Sequence, residues 1–60
     1  MRRKIGRTAK VLNQSWHGIT RWVVQHYLDD CLICETVRNS RQAARKVAQN
    51  YIATGMIPLN

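Results

Sequence analysis

Apolar positions recur at helical spacing through much of this chain, and the clearest run lies near its end. From Ser40 to Thr54, residues Ala43, Ala44, Val47, Ala48 and Tyr51 share one side of a helix turning about 100° per residue. Gln42, Arg45, Lys46 and Gln49 share the other. Asn39 or Ser40 is placed to cap this helix, and Gln42 stands three residues after Asn39 as in a capping box. Gly55 lies just past the helix end, with Pro58 beyond it. Upstream, Ile19, Trp22, Val23, His26, Ile33, Cys34 and Val37 form a second stripe, and Val24, Leu28, Cys31 and Leu32 add apolar positions elsewhere around the cylinder. The spacing predicts a helix over 19–37 that is apolar on most sides and therefore needs neighbours. Residues 7–14 suit either a short helix with Ala9, Val11 and Leu12 inward, or a strand in which Ile5, Arg7, Ala9 and Val11 alternate with Gly6, Thr8 and Lys10. Ser15 and Gly18 mark a break.

The pattern as a whole predicts an all-α fold. It has two or three helices (about 7–14, 19–37 and 40–54) behind a basic arm at residues 1–6, with 7–60 forming one small helical domain. Met56, Ile57 and Leu59 form an apolar tail able to cover the core or a dimer seam. A chain of 60 residues buries only about 60% of its unfolded surface, so its core is marginal alone. Together with the all-round apolar central segment, this leads us to expect a homodimer.

Charge sharpens the picture by its placement. The formal charge is +7, with Arg2, Arg3, Lys4, Arg7 and Lys10 in the first ten residues and Arg38, Arg41, Arg45 and Lys46 in the last third. Between them, Arg21 is set against Asp29, Asp30 and Glu35. Two basic ends around an acidic, apolar middle favour a polyanionic partner, most often nucleic acid. No secretory signal and no run of roughly 18 apolar residues is visible, so a cytoplasmic protein without a membrane span is expected.

Candidate chemistry is sparse. His26, Asp30 and Cys34 stand at helical spacing, with Cys31 and His17 nearby, and could offer nitrogen, oxygen and thiolate to zinc. The pair between the cysteines is Leu32-Ile33, not a tight turn, which favours two core thiols over a metal site. No nucleophile–base–orienter set or phosphate loop is recognisable, so neither enzyme activity nor a cofactor is expected. Trp22 falls on the main apolar stripe and is expected in the core, whereas Trp16 sits at a break beside His17 and could face a partner.

Two resemblances point to DNA. The segment from Asn39 to Ile52, with its Ser-Arg start and Tyr-Ile end, resembles the second helix of ribbon-helix-helix repressors of the Arc and CopG type. That resemblance implies an intertwined dimer whose paired N-terminal strands enter the major groove, with Arg7, Thr8 and Lys10 facing the groove and Ser40 and Arg41 holding a phosphate. Residues 5–22, through Thr8-Ala9-Lys10-Val11-Leu12-Asn13 and Ile19-Thr20-Arg21-Trp22, are similar to the helix-turn-helix of Cro-like phage regulators, which would turn Ser15, His17 and Arg21 to DNA. The sequence thus leads us to expect a small dimeric DNA-binding regulator of phage or plasmid type. Its contacts would come from Arg2, Arg3, Lys4, Arg7, Lys10, Arg38, Arg41, Gln42, Arg45, Lys46 and Gln49. The rival expectations are a small helical inhibitor or adaptor docking on a host protein, and an RNA- or ribosome-binding protein.

Overall fold

The computed structural model describes residues 6–58. Three antiparallel strands, β1 (Arg7–Asn13), β2 (Trp22–Leu28) and β3 (Cys31–Arg38), form a sheet in the order β1-β2-β3, and one helix, α1 (Arg41–Thr54), follows. The fold is therefore mixed, not all-α, and "helical" does not describe it. This topology is only loosely compatible with ribbon-helix-helix folds. The helix expected over 19–37 is instead two strands, and residues 7–14, left open between helix and strand, are mostly strand. A Cro-like helix-turn-helix at 5–22 is excluded by the same observation.

The physical reason lies in side-chain shape and in two turns. Val23, Val24, Tyr27, Ile33, Thr36 and Val37 are β-branched or aromatic, and such residues suit a pleated surface better than a helix. Asp29 and Asp30 both adopt left-handed backbone, with φ of 51° and 67°, and His17 and Gly18 do likewise at 48° and 78°. Two consecutive residues of this kind reverse a strand with the twist of a tight hairpin. Both faces of β2 carry apolar groups, so its period-2 alternation merged into a stripe that also fits a helix. A bulge adds to the disguise: Cys34 lies opposite His26 but Leu32 lies opposite Tyr27, leaving Ile33 as the extra residue.

Packing follows from the register. Val11, Val24 and Thr36 share one cross-strand row, as do Ala9, His26 and Cys34, and these rows face α1. The core is Val24 with Ala44, Val47 and Ala48, flanked by Ala9, Val11 and Trp22. Tyr51 closes the far end, its ring edge-on to His26 at 4.8 Å and its hydroxyl donating to the Tyr27 carbonyl at 3.0 Å. The helix expected at 40–54 is present, with the apolar side read from its spacing. Ser40 caps it by accepting from the Ala43 amide at 3.2 Å, and Gly55 ends it at φ 79° with its amide on the Tyr51 carbonyl. Trp22 packs on the core as expected. Met56 is exposed and Ile57 and Pro58 are half-buried, so Met56 does not cover the core; Leu59 lies outside the described residues.

Two polar side chains are fully buried in this layer, His26 and Thr36, and His26 Nε2 and Thr36 Oγ1 have no hydrogen-bond partner. A buried hydroxyl without a partner costs about 1–3 kcal/mol in desolvation. Thr36→Val, which replaces the hydroxyl by a methyl group of similar size, is expected to raise the melting temperature by several degrees, followed by circular dichroism. A lower melting temperature would show that the hydroxyl is satisfied.

Candidate nucleic-acid interface

The sheet has two distinct ends. At one, Asn13, Trp22 and Arg38 form the last rung of paired strands, and α1 begins three residues beyond Arg38. Past that rung the β1–β2 hairpin continues outward. The Gln14 amide donates to the Arg21 carbonyl at 2.8 Å, and Trp16 and Ile19 exchange two backbone hydrogen bonds of 2.9 Å on either side of the His17-Gly18 turn. At the other end lie the Asp29-Asp30 turn, the start of β1 and the C-terminus of α1. There the chain enters through Gly6, whose amide donates to Asp29 Oδ1 at 3.1 Å and whose carbonyl accepts from the Asp29 amide.

Charge divides along the same axis. Arg21 stands on the hairpin, Arg38 at the end of β3, and Arg41, Arg45 and Lys46 in the first half of α1. Of the acidic side chains among the described residues, Asp29 and Asp30 are at the opposite turn, and Glu35 lies on the open sheet face, where it accepts from Gln25 Nε2 at 2.9 Å. Arg41, Gln42, Arg45, Lys46 and Gln49 line one shallow crease along the exposed side of the helix. Arg41 and Arg45 also reach a notch lined by Val11, Asn13 and Trp22, so the helix crease runs into the base of the hairpin. The expected helix contacts are thus brought together, and Arg21, a cation of the hairpin, lies at the same end.

The helix carries its charge against its own dipole. It has no acidic residue in its first turn and no basic residue in its last. Cations near the positive N-terminal end are unfavourable, where the reverse placement stabilises by about 0.3–1 kcal/mol each. The missing cation at the C-terminal end comes from β1 instead. Arg7 Nε donates to the Tyr51 carbonyl at 3.1 Å and its Nη2 to the Ile52 carbonyl at 3.4 Å. Arg7, expected at DNA, is therefore engaged in holding the last turn of α1.

Lys10 stands apart from the helix cations, on the open sheet face, with its ammonium 5.4 Å from the Tyr27 ring centre. Arg38 donates from Nη1 to the Val37 carbonyl at 2.7 Å and is half-buried. Arg2, Arg3 and Lys4 lie outside the described residues. Comparison with protein-family models, curated proteins and solved structures finds no match. The surface must speak for itself.

The metal reading loses its geometry as well. His26 is sealed in the core with Nδ1 3.3 Å from the Cys34 carbonyl oxygen, and the Cys34 thiol is directed to the Glu35 carbonyl at 3.7 Å. No group of three or more metal-ligating side chains is found among the described residues. The cysteines expected as core thiols are exposed at Cys31 and half-buried at Cys34. No helix among the described residues is long and apolar enough to cross a membrane.

The hairpin was missed from sequence, although its signal was present. Thr8, Lys10, Leu12, Gln14 and Trp16 alternate with Arg7, Ala9, Val11 and Asn13, and His17-Gly18 is an acceptable pair for a two-residue turn.

Proposed function

We propose that this protein binds nucleic acid, in the first instance duplex DNA, as a non-catalytic regulator, through the end that carries the hairpin and the start of α1. The observation that carries this reading is the placement of Arg21, Arg38, Arg41, Arg45 and Lys46 around one end, with Arg41 in the first turn of α1 against the helix dipole and Asp29 and Asp30 at the opposite turn. Such crowding of like charge opposes folding, and a polyanion relieves it. Arg41, Arg45 and Lys46 are suited to phosphates, while Gln42 and Gln49 in the same crease can hydrogen-bond base edges.

A second feature bears on assembly. Leu28, Leu32 and Ile33 are exposed at the acidic end, away from Arg41, Arg45 and Lys46 of the helix. Self-association through this end leaves both cationic ends free, and the dimer expected from sequence is part of the proposal. Size exclusion with light scattering measures it.

Fluorescence anisotropy against a labelled duplex tests the main reading. Neutralising three to five phosphates gives a slope of log K against log salt between about −2.7 and −4.5. A flat response overturns the proposal, and tighter binding to structured RNA than to duplex DNA would redirect it.

A further inference from the structure

Among the described residues, the tip of the β1–β2 hairpin carries two of the three most exposed large apolar side chains. Trp16 is 71% exposed and Ile19 67% exposed, and the two face each other across one backbone-paired rung. The indole meets the His17 ring edge-on at 4.1 Å between centres. Isolated hairpins are marginal, yet this one is fastened: Ser15 Oγ accepts from the Arg21 amide at 3.1 Å, and Asn13 Oδ1 accepts from the Ser15 amide at 2.9 Å. The tip is thus held out in solvent by local side-chain bonds and a tight turn.

We propose that this tip binds a nucleobase, with the Trp16 indole stacked on the base face and Ile19 beside it. The inference rests on the polyanion reading above and deepens it. Alternation along the hairpin puts Gln14, Trp16, Ile19 and Arg21 on one side, so Arg21 lies two residues, about 7 Å, from the tip pair. A phosphate held by Arg21 therefore leaves its neighbouring base within reach of the indole. The same hairpin is a two-stranded ribbon, a form that a major groove admits. Apart from the indole N–H, the pair offers a phosphate nothing, whereas its apolar faces match the flat faces of the bases. Aromatic side chains use such faces for stacking, and apolar side chains use them as wedges between base steps.

The test uses the full chain as wild type, Trp16→Ala and Trp16→Phe, with four probes: oligothymidine, a blunt duplex, the same duplex with one unpaired base, and inorganic polyphosphate. Because Trp16 makes no core contact, both variants should keep the wild-type circular dichroism spectrum. Tryptophan emission is expected to fall with nucleic acid more in the wild type than in Trp16→Phe, where Trp22 alone emits, and the two should respond alike to polyphosphate. Trp16→Ala should weaken oligonucleotide binding about fivefold to hundredfold and leave polyphosphate binding unchanged, while Trp16→Phe keeps most of the affinity. Quenching by oligothymidine and the unpaired-base duplex alone assigns the site to an unpaired base, and equal quenching by the blunt duplex assigns it to a base-pair step; either result supports the proposal. Unchanged oligonucleotide affinity in Trp16→Ala overturns it and leaves the polyanion reading standing. Absence of binding to all four probes overturns both.

Discussion

Tyr51→Ala is expected to abolish most of the cooperative thermal transition. Tyr51 is 2% exposed and performs three tasks at the end of α1. Its ring closes the core against His26, its hydroxyl ties the helix to the Tyr27 carbonyl, and its own carbonyl accepts from Arg7 and from the Gly55 amide. Truncating a buried aromatic to alanine costs about 3–5 kcal/mol. At about 0.05–0.15 kcal/mol per residue, a domain of this size holds only a few kcal/mol in total. The loss is thus comparable to the whole stability. Tyr51→Phe removes only the hydroxyl bond, about 1 kcal/mol, and should lower the melting temperature by about 4–8 °C. A Tyr51→Ala melt within a few degrees of wild type would show that the helix is not seated through this ring.

Neutralising Arg41, Arg45 and Lys46 together to glutamine should separate binding from folding. Three lost phosphate contacts make the salt slope shallower by about 2.7 and weaken binding at about 0.1 M salt by about 10²- to 10³-fold. The same variant should melt at a slightly higher temperature, because Arg41 leaves the first turn of α1 and its i,i+4 repulsion with Arg45 is removed. Arg7→Gln is the matching control: it removes a cation from the negative end of the helix, so stability should fall while the salt slope stays. Anisotropy titrations at several salt concentrations and thermal melts read all four values. A triple variant that loses stability along with affinity would mean that these side chains brace the fold.

The helix at 40–54 was legible because three independent signals agreed: an apolar side, a serine at one end and a glycine at the other. The sheet was not, and the cause is visible in β2. Trp22, Val24 and His26 point to the helix while Val23 is buried on the opposite face, only 2% exposed between Leu12 and Val37. A strand buried on both sides presents a continuous apolar run, and such a run does not reveal its period. The turns were the better guide. Asp29-Asp30 interrupts the would-be helix with two residues that tolerate left-handed backbone, and Gly18 does the same for the hairpin. At the candidate site, charge counting along the chain found the helix cations but grouped them with Arg7 and Lys10. Only the register separates these, sending Arg7 to the helix C-terminus and Lys10 to the open sheet face.

The Asp29-Asp30 turn has a kinetic consequence. Among the described residues, the turn's two carboxylates stand at one extreme beside Arg7, and Arg21, Arg38, Arg41, Arg45 and Lys46 stand toward the other, so this part of the chain is electrically asymmetric as well as cationic. In the field of a polyanion such a body feels a torque before it feels contact. If the proposed polyanion binding holds, the hairpin would swing forward and the acidic turn back, so that more encounters would begin in the productive orientation. Reversing those two aspartates to lysine would add net attraction yet remove the alignment.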